Sequence, residues 1–225
     1  NEDKFVKSKE YFRLAPNLPD YYSTNQSFNY QKVGETELSW FDGGKINAAY
    51  NAVDRHVGKI GGKISLYWES ENDKKQFTFA EISALSNKWG NYLKNQGVVK
   101  GDRVFIFLPR VPELYVSFLG ILKIGAIAGT LFSAFQEQAL FDRLGDSGAK
   151  ILITNKELSS RISGIKDKLG TLQKVIIIDD PADSSSLNSS SDQLSIEPMN
   201  PSDYAFMLYT SGTTGKPKGV VHQHL

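Results

Sequence analysis

The chain has 225 residues, of which 40% are hydrophobic and 12% aromatic, so it can bury one large core or two smaller ones. Its 26 basic and 25 acidic residues leave a formal net charge of +1, which gives no basis for charge-driven binding to nucleic acid or to an anionic membrane. Cysteine is absent, which excludes disulfides, thiol nucleophiles and cysteine zinc ligands on this chain.

The compartment and the metal content are predicted from the same composition. The chain opens with Asn-Glu-Asp-Lys and no apolar segment of a signal peptide follows. The longest apolar run, around Leu114 to Leu131, is interrupted by polar residues and glycines, which favours a buried helix and strand over a membrane span. We therefore expect a cytoplasmic protein. No third soft ligand accompanies His222 and His224, so no metal site is predicted.

The first part of the chain gives weak structural signals. Residues 1–60 are rich in Tyr, Phe and Asn with little periodicity, which predicts an irregular segment over a core, followed by an α/β domain over residues 61–225.

Thr78 and Glu81 form a capping box that predicts a helix start. The apolar face of this helix has residues three and four apart: Ile82, Leu85, Trp89 and Leu93.

From Arg103 onward, predicted strands and helices alternate. Strands are predicted at residues 103–108, 127–132, 150–154 and 174–179. Helices are predicted at residues 112–124, 138–146 and 158–169. Repeated strand–helix–strand units of this length predict an α/β fold with a parallel sheet and flanking helices. The serine-rich stretch Pro181–Asp192 is typical of a surface loop or a disordered insert.

A loop rich in Gly, Thr and Lys, Tyr209–Gly219, joins the apolar segments Ala205–Tyr209 and Val220–Val221. Such a composition is often a solvated linker, but the flanks are typical of short buried strands, so the loop should join two core elements. Glycine N–H groups, hydroxyls and a lysine can together hold a polyphosphate. The groups suited to this are the amides exposed by Gly212, Gly215 and Gly219, the hydroxyls of Ser211, Thr213 and Thr214, and Lys216 or Lys218.

This loop is not a Walker A motif. That motif has four residues between its glycines and Ser or Thr after its lysine. Here only Thr213 and Thr214 separate Gly212 from Gly215, and proline follows Lys216. The kinase, GTPase and transporter ATPase classes that use Walker A are therefore excluded.

Several segments resemble one known family. Tyr209–Gly219 resembles the signature loop of the adenylate-forming superfamily, which includes acyl-CoA synthetases, luciferases and nonribosomal peptide adenylation domains. Trp40–His56 resembles the amino-terminal segment of AMP-forming acetyl-CoA synthetases, although its residues alone indicate only an aromatic anchor, a glycine turn and a short helix. Gly101–Pro109, Lys123–Gly129 and Leu131–Phe135 are similar to the same family, and the last stands where many members carry Phe-Gly-Gly-Phe.

The resemblance implies a fold and a reaction. The chain would form part of the large amino-terminal domain of an adenylate-forming enzyme. A short-chain carboxylate would attack the α-phosphorus of MgATP and release pyrophosphate, and the CoA thiol would then attack the acyl adenylate and release AMP. ATP, Mg²⁺ and CoA are thus the expected substrates and cofactors.

The resemblance also implies ligand contacts. It assigns the pyrophosphate to Thr210, Ser211, Gly212, Thr213, Thr214, Gly215 and Lys216, with Lys218 as a second cation. It assigns CoA to Phe132, Ser133, Ala134 and a basic residue, for which Arg161 is the candidate. From the residues alone, Arg161 would be a solvated helix arginine, and Phe132 and Phe135 would be core aromatics.

No catalytic residue is assigned within the chain. In the family, the acyl pocket, the acid that binds Mg²⁺ and the catalytic lysine follow the part that these residues resemble. We therefore expect the 225 residues to be inactive alone and to need the remaining carboxy-terminal part of the protein as a partner. Two alternatives stay open: an adenylation domain that loads a carrier protein, and a non-catalytic nucleotide- or phosphate-binding module.

Overall fold

The computed structural model describes residues 23, 26, 27, 29–210 and 216–225. The chain divides into two compact units, Asn1–Leu38 and Ser39–Leu225. In the first unit, helix α1 spans Tyr30–Glu37. The side-chain oxygen of Asn29 accepts a hydrogen bond from the Lys32 amide at 3.0 Å, which caps the amino terminus of this helix.

The second unit begins with helical turns, which confirm the short helix expected within Trp40–His56, in a segment otherwise predicted to be irregular. A π-helical turn spans Tyr50–Asp54 and helix α2 follows at Arg55–Ile60. The Asn47 carboxamide oxygen accepts hydrogen bonds from the amides of Ala49 and Tyr50 and so starts these turns. A local cap of this kind has no apolar periodicity, so the weak periodicity of residues 1–60 does not indicate where these turns begin. The domain division at residue 60 stays a prediction.

An antiparallel hairpin precedes the first long helix. Strand β1 spans Ile64–Glu69 and pairs with strand β2 at Lys74–Thr78. Helix α3 then begins at the predicted capping box. The Thr78 hydroxyl accepts from the Glu81 amide at 3.2 Å, and the Glu81 carboxylate accepts from the Thr78 amide at 2.8 Å.

The main sheet confirms the predicted α/β fold. Its six strands lie in the order β6-β5-β3-β4-β7-β8, and all are parallel except β8, which is antiparallel to β7. Their bounds are β3 Arg103–Phe107, β4 Ile127–Thr130, β5 Ile151–Thr154, β6 Lys174–Ile177, β7 Tyr204–Thr210 and β8 Lys218–Gln223. The first four differ from the predicted bounds by two residues at most.

The helices flank both faces of this sheet. They are α3 Phe79–Asn95, α4 Pro112–Lys123, α5 Glu137–Ser147, α6 Lys156–Ser159 and α7 Pro181–Asn188. Val104 and Ile106 pack in one apolar cluster with α3 and α4, whereas Phe105 and Phe107 pack in a second cluster with α5. This alternation shows that β3 is covered on both faces. No helix in the described part of the chain is long and apolar enough to cross a membrane.

The prediction of a single helix over residues 158–169 is wrong. The structure has the short helix α6 and a 3₁₀ turn at Lys166–Lys168, joined by turns. The hydroxyls of Ser159, Ser160 and Ser163 each donate to a backbone carbonyl three residues earlier. Serine side chains that bond locally in this way compete with the regular helical pattern.

The serine-rich segment after β6 contains a helix, α7, where a loop or disordered insert was expected. The Asp180 carboxylate caps this helix by accepting hydrogen bonds from two of its amides, and Pro181 occupies its first turn. Three side chains of α3 donate to carbonyls between residues 188 and 193: Asn87, Lys88 and Asn91. These distant donors order a segment whose composition alone indicates disorder.

Candidate functional site

The predicted ligand-binding segments all follow the carboxyl ends of strands in the main sheet. Strands β4, β5 and β7 are parallel, so their carboxyl ends meet at the same edge, where open α/β sheets bind ligands. Leu131–Phe135 follows β4, Arg161 follows β5, and the glycine-rich loop follows β7. The fold therefore gathers segments that lie far apart in the sequence.

The glycine-rich loop joins two neighbouring strands. Thr210 ends β7 and pairs with Lys218, which begins β8 in the antiparallel direction. The predicted phosphate-binding residues between them, Ser211, Gly212, Thr213, Thr214 and Gly215, lie outside the described residues. One expectation about the flanks is wrong, because β8 is an exposed edge strand in which Val220 retains 43% of its accessible surface.

The two lysines of the loop are exposed. Lys216 and Pro217 line a cavity of about 190 Å³ together with Asp142 and Asp146 of α5. Within the described residues, no ion pair involves Lys216 or Lys218. Their ammonium groups can therefore reach an anion at this edge, although the two carboxylates of α5 offset part of the positive charge.

The entry to the loop is fixed to α5. The Tyr209 hydroxyl donates a hydrogen bond to the Asp146 carboxylate at 2.6 Å. Burial and this contact with Asp146 raise the pKa of Tyr209, so its hydroxyl stays a donor at neutral pH. The centres of the Tyr209 and Phe105 rings lie 6.4 Å apart. A β-carbon at Gly219 would lie 3.3 Å from the Tyr209 ring carbon that carries the hydroxyl. Thr210 therefore follows a residue whose side chain is held in place.

The predicted CoA contacts lie close to one another. For two of them, Arg161 and Phe132, the structure differs from what the residues alone predict. Arg161 is not a solvated helix arginine, because its Nη1 donates to the carbonyls of Ser133 at 2.7 Å and Phe135 at 3.1 Å. Phe132 is not a core aromatic, because it is 63% exposed, with its ring nearly perpendicular to that of Phe135 at 5.8 Å. Ala134 is exposed between them. An exposed ring on an immobilised backbone can stack on a planar ligand.

Sequence reasoning missed two residues of α5 at this edge. The guanidinium carbon of Arg143 lies 4.2 Å from the centre of the Phe135 ring and 5.9 Å from that of Tyr209. Together with Asp146, it contacts both predicted ligand-binding segments. The spacing of three residues places Arg143 and Asp146 on one helix face, but the sequence does not indicate what that face meets.

The histidines have structural partners. His222 stacks on Phe206 with ring centres 4.4 Å apart. His224 is buried, and its Nδ1 accepts a hydrogen bond from the Ala48 amide at 3.1 Å. Desolvation lowers the pKa of His224 to about 4. In the described part of the chain, no group of three or more His, Asp or Glu side chains is placed to hold a metal ion.

Comparison with known proteins identifies relatives of this chain. Residues 53–225 match the family model described as AMP-binding enzyme. An acetyl-coenzyme A synthetase from Bacillus subtilis is 44% identical over 218 residues, which cover 92% of this chain and 38% of that protein. A 3-hydroxypropionyl-coenzyme A synthetase from Sulfurisphaera tokodaii is 38% identical over 234 residues, which cover 93% of this chain and 35% of that protein.

A solved structure has the same fold. The crystal structure of Brucella canis acyl-CoA synthetase superposes with a TM-score of 0.80 at 30% identity, and the match covers 91% of this chain and 38% of that one. The chain therefore spans less than two fifths of the length of each of these three proteins.

Proposed function

Because the chain belongs to the family of AMP-binding enzymes, we propose that it forms the nucleotide- and CoA-binding part of an AMP-forming acetate–CoA ligase. A short-chain carboxylate attacks the α-phosphorus of MgATP and expels pyrophosphate. The CoA thiol then attacks the carbonyl carbon of the acyl adenylate and expels AMP. Since ATP and CoA are intracellular substrates, the proposed setting is the cytoplasm.

One observation carries this proposal. The loop suited to a polyphosphate and the segment Leu131–Phe135 leave neighbouring parallel strands, β7 and β4, at the same edge of the sheet. This edge is where open α/β sheets bind nucleotides. A site that holds ATP and CoA close together is what successive adenylation and thioester formation require.

The loop is proposed to stabilise the leaving pyrophosphate. Negative charge develops on the β- and γ-phosphates as the bond to the α-phosphorus breaks. Backbone amides, the hydroxyls of Thr210, Ser211, Thr213 and Thr214, and the ammonium group of Lys216 oppose that charge, with Lys218 as a second cation. Mg²⁺ enters as part of the MgATP substrate.

The acyl group is proposed from the names of the relatives. The Bacillus relative is named for acetyl-CoA and the Sulfurisphaera relative for 3-hydroxypropionyl-CoA. The Bacillus protein is 44% identical to this chain and the Sulfurisphaera protein 38%. Acetate is therefore the first substrate to test and 3-hydroxypropionate the second.

Product analysis tests this function. The full-length protein is incubated with MgATP, CoA and acetate, propionate or 3-hydroxypropionate, and nucleotides and thioesters are quantified by mass spectrometry. The proposal predicts equal amounts of AMP and acyl-CoA. Formation of ADP would contradict it, and AMP formation without acyl-CoA would favour loading of a carrier protein. We expect the 225 residues alone to form neither product, and turnover by them would refute the need for the rest of the protein.

A further inference from the structure

One face of helix α5 contacts both predicted ligand-binding segments. Arg143 and Asp146 are three residues apart and so lie on the same side of the helix. Asp146 accepts the hydrogen bond of the Tyr209 hydroxyl at 2.6 Å. The guanidinium carbon of Arg143 is 4.2 Å from the centre of the Phe135 ring and 5.9 Å from that of Tyr209. Both distances are within the range of cation–π attraction, about 6 Å.

The two rings adjoin the ligand-binding residues directly. Tyr209 immediately precedes Thr210, and Phe135 immediately follows Ala134. A displacement of either ring would therefore move Thr210, at the start of the phosphate loop, or Ala134, in the CoA segment. Because Arg143 contacts both rings, its guanidinium group is a physical link between the two segments.

The guanidinium group itself is held by its own helix. Its Nη1 donates to the Ala139 carbonyl at 2.9 Å. Its Nε is buried and has no hydrogen-bond partner among the described residues. Leaving a buried donor unpaired is unfavourable, so hydrogen bonding alone does not account for the position of Arg143. The ring contacts do account for it.

We propose that Arg143 is a positioning residue that fixes the phosphate loop and the CoA segment relative to each other. This inference rests on the proposed function. It predicts that loss of the guanidinium group weakens the binding of both substrates. Among the described residues, the side-chain hydrogen bond of Asp146 goes to the loop entry and those of Arg161 go to the CoA segment, so each of these two should affect one substrate.

The test is steady-state kinetics of the full-length protein with three variants: Arg143→Lys, Asp146→Asn and Arg161→Lys. Lysine keeps the positive charge but loses the planar group that stacks on a ring. For Arg143→Lys we expect the KM for ATP and the KM for CoA each to rise about fivefold. For Asp146→Asn only the KM for ATP should rise, and for Arg161→Lys only the KM for CoA.

A matched control separates this role from a general effect of replacing arginine. Arg103 begins β3 at the opposite end of the sheet, and its guanidinium group donates to the carbonyls of Ser147 and Gly148, so Arg103→Lys should leave both KM values unchanged. Melting temperatures show whether each variant folds. If Arg143→Lys does not fold, Arg143→Gln takes its place, because its planar amide can still cover the Phe135 ring while lacking the charge.

The outcomes are distinguishable. Wild-type KM values for Arg143→Lys, or a rise in only one of them, would overturn the inference and leave the proposed function intact. A fall in melting temperature or kcat with both KM values unchanged would assign Arg143 a merely structural role and would also overturn it. A wild-type protein that forms no acyl-CoA refutes the proposed function, and this inference with it.

Discussion

The ammonium group of Lys123 lies 2.8 Å from the Asp54 carboxylate, and the lysine side chain has no access to solvent. It also donates to the Asn87 carboxamide oxygen at 2.8 Å and to the Ser83 carbonyl at 3.3 Å. Desolvation lowers the pKa of Lys123, against the opposing effect of Asp54. This buried network joins the helical turn at Tyr50–Asp54 to α3 and α4.

Removal of the buried lysine should be strongly destabilising. Lys123→Met leaves the Asp54 charge without its partner, so we expect a loss of about 3–5 kcal/mol in the free energy of unfolding. Urea unfolding of the full-length protein, followed by tryptophan fluorescence, measures this loss. The matched control is Lys74→Met, which breaks the exposed 2.6 Å pair with Glu69 and should cost less than about 1 kcal/mol. Equal losses in the two variants would contradict the buried-pair interpretation.

Two helical glycines should respond in opposite directions to the same substitution. A β-carbon at Gly120 of α4 would lie 2.6 Å from the Trp89 β-carbon and 2.8 Å from the Ser86 carbonyl oxygen, whereas one at Gly58 of α2 meets nothing within 4 Å. Gly58→Ala should stabilise by up to about 1 kcal/mol through helix propensity. Gly120→Ala should destabilise by about 1–3 kcal/mol through overpacking. Denaturant midpoints test the pair, and a stable Gly120→Ala protein would refute the close approach of α3 and α4.

His224 should make stability depend on pH. Burial lowers its pKa to about 4 from the ordinary value of 6.5, so the unfolded chain binds a proton at a higher pH than the folded one. Stability is therefore full above pH 6.5 and falls by up to about 3 kcal/mol as the pH drops to 4.

The variant His224→Asn retains an acceptor for the Ala48 amide and does not titrate. Urea unfolding at intervals from pH 8 to pH 4 should show the wild type losing stability relative to this variant. Parallel pH profiles of the two proteins would show that His224 is not buried in its neutral form.

Phe132 should act on CoA and not on folding. Because its ring is 63% exposed, Phe132→Ala should leave the melting temperature unchanged. Stacking of the ring on the adenine of CoA predicts a rise of about tenfold in the KM for CoA. Tyr67→Ala, which removes a ring that is 71% exposed on β1, is the control and should change neither quantity. An unchanged KM for CoA in Phe132→Ala would remove this residue from the CoA site.

The main sheet and the position of the loop could be predicted because their signals are local. Apolar runs such as Val104–Leu108 have the composition of strands covered on both faces, and the capping box at Thr78 defines a helix start within four residues. The glycine-rich loop was likewise predicted from composition and from the apolar segments on both sides of it.

The remaining features depend on contacts between residues far apart in the chain. The segment that follows α7 is held by Asn91, about 100 residues earlier, and the position of Arg161 depends on carbonyls of the Ser133–Phe135 segment, more than 25 residues earlier. The pairing of Arg143 with Phe135 and Tyr209 requires β4 and β7 to be neighbours. No local pattern encodes these contacts, since they follow from the strand order.

Acetate-dependent exchange of pyrophosphate into ATP by the full-length protein tests the proposed adenylation most directly, because this exchange requires the acyl adenylate but not CoA. We predict exchange that depends on acetate and MgATP, and that falls at least about tenfold in Lys216→Ala through loss of a charge that opposes the leaving group. Absence of exchange with acetate, propionate and 3-hydroxypropionate, or exchange that proceeds without any carboxylate, would contradict the proposed function.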